Sequence, residues 1–152
     1  PLSRNAVATS LQSKIRDALN QARKERDRLR TVALSTILSE IRNREISAGR
    51  DADDQMVEEV VARGIKQRRE SAEQMRSGGR EELAQKEDEE AEVLTRFLPP
   101  QLDEDEVRFI VRELMSEGSV EMGPVMGRLM PRIRGRFDGK EANRIVREEL
   151  AR

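Results

Sequence analysis

Two adjacent prolines, Pro99 and Pro100, constrain the fold of this chain more than any other feature. Proline lacks a backbone donor and disfavours the helical conformation of the residue before it, so a helix must end here. On both sides of this break, apolar residues recur at intervals of three and four, which is the pattern of amphipathic helices. The prolines therefore predict a boundary between two groups of helices, with Leu98 and Leu102 as apolar anchors beside it.

The composition favours helices over sheets. Of the 152 residues, 39% are charged, 36% are apolar and only 2% are aromatic. Strands are enriched in aromatic and β-branched residues, whereas long solvated helices are rich in charged residues. We predict an all-α fold with thin cores. An N-terminal antiparallel helical domain of about four helices spans residues 1–98, and a C-terminal three-helix bundle spans residues 99–152.

Local signals place the helix ends. Ser10, Asp103 and Asp138 each precede an apolar stripe and can cap a helix, and a further helix starts at Asp53 or Asp54. Gly49 follows the most apolar stripe and is predicted to end that helix in the left-handed conformation. Residues 1–9 have no periodicity and are interpreted as a frayed end.

Charge is segregated along the chain although the net charge is only −1. Residues 1–50 carry 11 Lys and Arg against 5 Asp and Glu, residues 51–100 carry 8 against 14, and residues 118–152 carry 8 against 5. We interpret the acidic run 86–92 as a solvated helix face that pairs with Arg68, Arg69 and Arg76 on the preceding helix. The basic stretches are candidate binding surfaces.

The residue types leave little room for catalysis. The chain has no His and no Cys, so the usual general base and the thiol nucleophile are both missing. The sequence contains no phosphate-binding loop of the nucleotide-hydrolase kind. A carboxylate metal site built from Glu87 and Glu90 would normally include His. We therefore predict a non-catalytic binding module without metal or cofactor.

The leading candidate site is a set of cations around two glycines near the start of the last helix. Small residues and free helix-start amides allow a phosphate to approach closely. This set is therefore a candidate for binding the phosphate backbone of RNA. From the residues alone, these cations fit an ordinary solvated rim better than a nucleic-acid surface. The predicted set is Arg128, Arg132, Arg134, Arg136, Lys140, Arg144 and Arg147, with backbone approach at Gly127, Gly135 and Gly139.

A second basic group surrounds the end of the first helix and the start of the next. Its members are Arg23, Lys24, Arg26, Arg28 and Arg30. We interpret this group as a helix start or turn with a structural role.

Several segments resemble the YqeY family, also described as the GatB/YqeY domain. They span roughly residues 10–150 in the family order. Pro124 stands where the family often has Lys, which removes one expected basic contact. The matching segments are 28–30, 37–41, 65–71, 79–83, 86–87, 97–102, 122–123, 125–127 and 135–139.

The resemblance implies an all-α protein whose C-terminal bundle is similar to the tail of the B subunit of the tRNA-dependent glutamine amidotransferase. That tail helps to hold the tRNA while other domains do the chemistry. The resemblance thus implies tRNA as a partner and a role in translation. Amidotransferase subunits or an aminoacyl-tRNA synthetase are further candidate partners. Carbon–nitrogen ligase activity with glutamine as amide donor is attached to the family, but no catalytic set accompanies it here.

Two other functions stay open at this point, a protein-interaction adaptor without an RNA role and an amidotransferase in its own right. The sequence shows neither a secretory signal peptide nor an apolar run of membrane-spanning length, so we expect a cytoplasmic protein without membrane contact.

Overall fold

The computed structural model describes residues 10–152, which form seven α-helices and no strand. This confirms the predicted all-α fold, while the nine residues interpreted as a frayed end lie outside the described part. The helices are α1 (Leu11–Lys24), α2 (Arg28–Ala48), α3 (Asp54–Ser77), α4 (Glu81–Thr95), α5 (Glu104–Ser116), α6 (Met122–Ile133) and α7 (Gly139–Leu150). Within residues 10–152, we find no helix with the length and apolar character needed to cross a membrane.

Side-chain caps begin most of these helices. In each case a side-chain oxygen accepts a hydrogen bond from the backbone N–H three residues later, which satisfies an otherwise free donor and stabilises the helix by about 1 kcal/mol. The capping residues are Ser10, Asp27, Asp53, Asp103 and Asp138. Gly49 ends α2 with φ of +69°, as predicted.

Contacts between Cα atoms group the chain into two compact units, Pro1–Leu98 and Pro99–Arg152. In the first unit, α3 and α4 pack side by side along most of their length, and α1 and α2 pack against them. The apolar stripes of all four helices meet in one core, against which Phe97 and Leu98 also pack. Its buried members are Ile15, Leu19, Ala22, Leu34, Ile37, Ile41, Val57, Val61, Ile65, Ala91 and Leu94.

Gly64 of α3 leaves space that a side chain of α2 occupies. A Cβ atom at this position would lie only 2.7 Å from Cδ1 of Ile37, which is fully buried. The Gly64 carbonyl accepts a hydrogen bond of 3.2 Å from Nη1 of Arg68. Glycine lowers helix propensity inside this 24-residue helix, and its missing Cβ leaves room for the Ile37 side chain.

A buried ion pair joins α3 to α4. Nε of Arg68 lies 3.5 Å from Oε2 of Glu90, and the two side chains are only 10% and 8% exposed. Nearer the turn, Nη2 of Arg76 donates to Asp88 at 2.9 Å. The predicted pairing of the acidic run with α3 is thus found for Arg68 and Arg76. The run is not wholly solvated, however, because Glu90 faces the interior.

The second unit is a three-helix arrangement around its own core. The residue numbers of its ion pairs show in which directions the helices run. Arg128 and Arg132 of α6 pair with Glu117 and Glu113 respectively, so α5 and α6 are antiparallel. Arg108 of α5 pairs with residues 148 and 149, and the N-terminal part of α5 pairs with residue 144, so α5 and α7 run parallel. The buried core residues are Val107, Ile110, Val111, Leu114, Val125, Leu129, Ile133, Ala142, Ile145 and Val146.

Glu149 is the carboxylate that holds α7 to α5. Its side chain is 2% exposed and accepts hydrogen bonds from Arg112 Nε at 2.5 Å and from Arg108 Nη1 at 2.9 Å. The hydrogen bonds from Arg112 and Arg108 lower the pKa of Glu149, against an opposing effect of burial. A buried carboxylate is stable here because both of its oxygens are matched by guanidinium donors.

The proline segment belongs to the second unit through specific hydrogen bonds. Gln101 Nε2 donates to the carbonyl of Gly135 at 2.8 Å, and the Leu102 N–H donates to the carbonyl of Arg136 at 2.9 Å. In return, Arg136 Nε donates to the carbonyl of Pro100 at 2.9 Å. The Leu102 side chain packs on the second core. This segment therefore holds the turn between α6 and α7 in place.

Residues 99–152 expressed alone are expected to stay helical and to unfold in one cooperative transition, because their core is formed within the unit. Circular dichroism during urea or thermal unfolding measures this. A matched fragment of residues 103–152 lacks Leu102 and the hydrogen bonds of Gln101, so it should be less stable. A disordered 99–152 fragment would show that the prolines mark a bend inside one domain.

Gly64→Ala is expected to lower the free energy of unfolding, because overpacking costs about 1–3 kcal/mol and outweighs the gain of up to about 1 kcal/mol in helix propensity. Gly127→Ala is the matched control, since an added Cβ on α6 meets nothing within 4 Å. It should raise stability by a fraction of that gain. Urea unfolding measures both variants, and equal effects of the two would contradict the close packing at Gly64.

Glu149→Gln is expected to lower the free energy of unfolding at pH 7 by about 1–3 kcal/mol through loss of the charged hydrogen bonds. Because the folded-state pKa is below the ordinary 4.5, this stabilisation is complete above pH 4.5 and is lost as the pH falls further. The variant should therefore lose less stability on acidification than the wild type. Glu106→Gln, which removes an exposed carboxylate of α5, is the control. An unchanged acid profile in Glu149→Gln would refute this role.

Candidate functional site

The cations predicted from the sequence lie on three consecutive elements of the second unit. Arg128 and Arg132 are one turn apart on α6, Arg134 and Arg136 are in the turn at residues 134–138, and Lys140 is in the first turn of α7. One turn further along α7 lies Arg144. Their surroundings differ, and these differences decide which charges are available to a ligand.

Two of the cations face carboxylates at the C-terminal end of α5. Nη1 of Arg128 lies 3.6 Å from Oε2 of Glu117, and Nη2 of Arg132 lies 3.6 Å from Oε2 of Glu113. Arg128 Nη1 also donates to the hydroxyl of Ser119 at 3.3 Å. These pairs are about half exposed and therefore weak, but they offset the positive charge of this face of α6.

Arg144 is more strongly engaged than either of these. Its guanidinium donates to Glu104, to Glu141 at 2.9 Å and to Glu148 at 2.8 Å. Hydrogen bonds first to Glu104, then to Glu141 and Glu148, raise the pKa of Arg144. Arg108 shares Glu148 and Glu104 with it. Arg144 is thus part of a charge network between α5 and α7, which gives it a structural role that its sequence position did not reveal.

Arg136 holds the backbone of its own unit. Besides the hydrogen bond to the Pro100 carbonyl, its Nη1 donates to the carbonyl of Arg132 at 3.3 Å. Gly135 precedes it with φ of +73°, a left-handed conformation that a residue with a side chain rarely adopts. These features shape the turn and position its neighbours. The guanidinium of Arg136 is therefore used to hold the turn more than to bind a ligand.

Arg134 and Lys140 differ from the other cations. Both side chains are exposed, and within the described residues neither lies within 4.0 Å of a carboxylate oxygen. Arg147, on the same helix as Lys140, shares this property. The charges of these three side chains are not offset by a paired carboxylate of the described residues.

The three glycines predicted for backbone approach are not equivalent. Gly127 is exposed with open space beside its Cα, whereas Gly139 lies near Met130. The Gly135 carbonyl is occupied by Gln101. The start of α7 is already capped by the carboxylate of Asp138, which offsets the positive end of the helix. A phosphate would therefore depend on the side chains of this surface more than on helix-start amides.

Sequence reasoning missed three residues that build this surface. From the sequence, no individual role is assigned to Gln101, Glu149 or Arg108. Gln101 and Glu149 make bonds to residues 34 and 37–41 positions away in the chain, which no local pattern reports. The available signal was weak: Gln101 lies inside a segment of the family resemblance.

The acidic residues of α4 were considered for a metal site. Glu90 is directed at Arg68 and is buried, as described above. Among residues 10–152, no group of three metal-ligating side chains is arranged to hold an ion.

Residues 12–150 match the family described as Yqey-like protein. Curated relatives carry the name "Altered inheritance of mitochondria protein 41, mitochondrial". The protein of Lachancea thermotolerans is 31% identical over 102 residues, which cover 65% of this chain and 54% of that protein. The protein of Pyrenophora tritici-repentis is 29% identical over 150 residues, covering 95% and 81%. That of Kluyveromyces lactis is 29% identical over 123 residues, covering 76% and 66%.

These relatives correct one prediction. All three are named as mitochondrial proteins, so the expectation of a cytoplasmic location, drawn from the sequence, is wrong. The physical reason is that targeting sequences for mitochondria are amphipathic and rich in Arg, without the apolar run of a secretory signal peptide. The lack of such a run therefore does not distinguish the two compartments.

The alignment with the first of these relatives spans about half of that protein's length, so similarity to it concerns this region and not the whole relative. The family match, by contrast, extends over nearly the entire chain, from the first turn of α1 to the end of α7. The chain therefore belongs to the YqeY-like protein family.

Proposed function

We propose that this chain is a tRNA-binding helical module that contacts phosphates and does not itself catalyse a reaction. The observation that carries the proposal is the pair of exposed cations Arg134 and Lys140, which flank the turn between α6 and α7 without a carboxylate partner among the described residues. Arg147 extends this surface along α7.

The chemistry of the surface favours a phosphate backbone over bases. Bases of single-stranded RNA are usually held by stacking on aromatic rings, and aromatic residues make up only 2% of this chain. Exposed Arg and Lys side chains that contact only phosphates bind RNA with an affinity that depends on its shape and on the salt concentration. A folded RNA such as tRNA presents a dense and regular array of phosphates for such contacts.

The resemblance of residues 99–152 to the tail of the amidotransferase B subunit supports tRNA over other polyanions. In that enzyme the tail helps to hold the tRNA, and the reaction takes place elsewhere. By analogy, this chain associates with tRNA and with the amidotransferase or synthetase that acts on it. Ligase activity of the chain alone is not part of the proposal, because it has neither His nor Cys for an acyl-transfer site.

The experiment is filter binding of the full chain to bulk tRNA over a series of salt concentrations. For the wild type we expect the logarithm of the affinity to fall linearly with the logarithm of salt concentration. The variant R134Q/K140Q should weaken binding and reduce that slope by roughly one to two, since two phosphate contacts are lost. Arg136 is left intact because its loss would disturb the turn.

The matched control is R42Q/R69Q, which removes the same charge from exposed positions of the first unit. It should leave the slope nearly unchanged. Equal binding by R134Q/K140Q and the wild type, or an affinity that ignores salt, would refute the proposal. Capture of a defined protein by the nuclease-treated chain, without any tRNA affinity, would instead identify an adaptor.

A further inference from the structure

We infer that the connection between α1 and α2 forms a second RNA-backbone surface, composed of Arg23, Lys24, Arg26 and Arg28. This inference deepens the proposed function and rests on it, because it assumes the same ligand. From the sequence alone, these cations were interpreted as a structural element of a helix start. The contacts of the first unit change that interpretation.

The connection contains two carboxylates, and both are used locally. Glu25 Oε2 lies 2.5 Å from Nη1 of Arg30, while its Oε1 accepts from Gln21 Nε2 at 3.2 Å. Asp27 Oδ1 caps α2 by accepting the Arg30 N–H at 3.1 Å, and its Oδ2 lies 3.7 Å from the Arg30 guanidinium. A single cation, Arg30, therefore takes up both acids.

The four remaining cations lie within six residues and are all exposed. In the described part of the chain, none of them has a carboxylate oxygen within 4.0 Å. They consequently form a concentrated positive patch that is not neutralised within the first unit. Such a patch attracts polyanions and raises their local concentration.

Helix stability explains only half of this set. Arg23 and Lys24 lie in the last turn of α1, where positive charge is favoured by the helix dipole. Arg28, by contrast, is the first residue of α2, whose first turn has no acidic residue. Positive charge at that end is unfavourable, so the stability of α2 does not account for Arg28.

Arg26 is also poorly explained by backbone preference. Its φ of +56° is in the left-handed region, and it is the one non-glycine residue of the described chain with positive φ. Gly or Asn would adopt this conformation at lower cost. Arg26 and Arg28 thus place positive charge at two positions where neither backbone preference nor helix stability favours it.

The ligand fitted by this patch is a phosphate backbone. Residues 23–28 include no aromatic residue. Protein interfaces are typically enriched in aromatic residues, so this composition does not favour a protein partner. Insertion into a membrane surface likewise uses large apolar side chains beside the basic ones. Closely spaced Arg and Lys alone match the repeating charges of RNA, which the second unit is proposed to contact as well.

The test uses the full chain and tRNA in the same salt series. The variant R23Q/K24Q/R28Q removes three cations and leaves Arg26, whose substitution would alter the turn itself. We expect a slope reduced by roughly two to three and weaker binding at every salt concentration. R28Q alone should reduce the slope by about one. The matched control R42Q/R63Q/R69Q removes three exposed charges elsewhere in the unit and should leave the slope nearly unchanged.

The experiment distinguishes failure of this inference from failure of the proposed function. If R134Q/K140Q weakens binding and R23Q/K24Q/R28Q binds as the wild type does, this inference is overturned and the proposed function stands. If only the R23Q/K24Q/R28Q variant weakens binding, the first unit is the RNA surface and the α6–α7 turn is not. A slope that drops equally in R42Q/R63Q/R69Q would overturn the inference by showing a general charge effect. Circular dichroism of each variant verifies the fold.

Discussion

Pairing between oppositely charged side chains of adjacent helices is the interaction on which both units depend. The chain is 39% charged and 36% apolar, and some of its charged side chains are buried between helices. In the second unit this role belongs to Glu149 with Arg108 and Arg112. In the first unit this role belongs to Arg68 and Glu90. Arg68 lies one turn after Gly64, where α3 contacts Ile37 of α2. Removal of one partner leaves a charge that is shielded from water.

Whether a cation is paired with a carboxylate determines whether its charge is available to a ligand. Arg144 pairs with three carboxylates and therefore serves the helix packing. Arg134 and Lys140 are on neighbouring turns but are free of such partners within the described chain. A basic stretch in a sequence thus overstates the charge that a ligand meets, since only the unpaired fraction contributes at full strength.

Much of the fold could be predicted because it is determined locally. Capping residues such as Ser10 and Asp138, and apolar stripes with a period of 3.6 residues, depend on neighbours within one turn. The seven helices follow from these signals. The pairing of individual charges could not be predicted, because it depends on which helix faces are adjacent after folding. Arg144 and Glu149 illustrate this, as does Gly64, which has no distinctive local pattern.

The location of the protein was wrongly predicted for a different reason. The sequence criterion detects secretion and membrane spans, and neither distinguishes cytoplasm from mitochondria. The function required a further kind of evidence, because fold and family do not specify a ligand. What the structure adds is the identification of two clusters of exposed cations without a carboxylate partner among the described residues, one at the α1–α2 connection and one at the α6–α7 turn.

The most direct test of this sorting is an NMR titration of the full chain with tRNA, observed at the arginine Nε–Hε groups. The account predicts that the signals of Arg134 and Arg28 change, while those of Arg108 and Arg144 stay nearly constant in their carboxylate network. Changes at Arg144 as large as those at Arg134 would contradict it, because internal pairing would then not determine which cations meet the RNA.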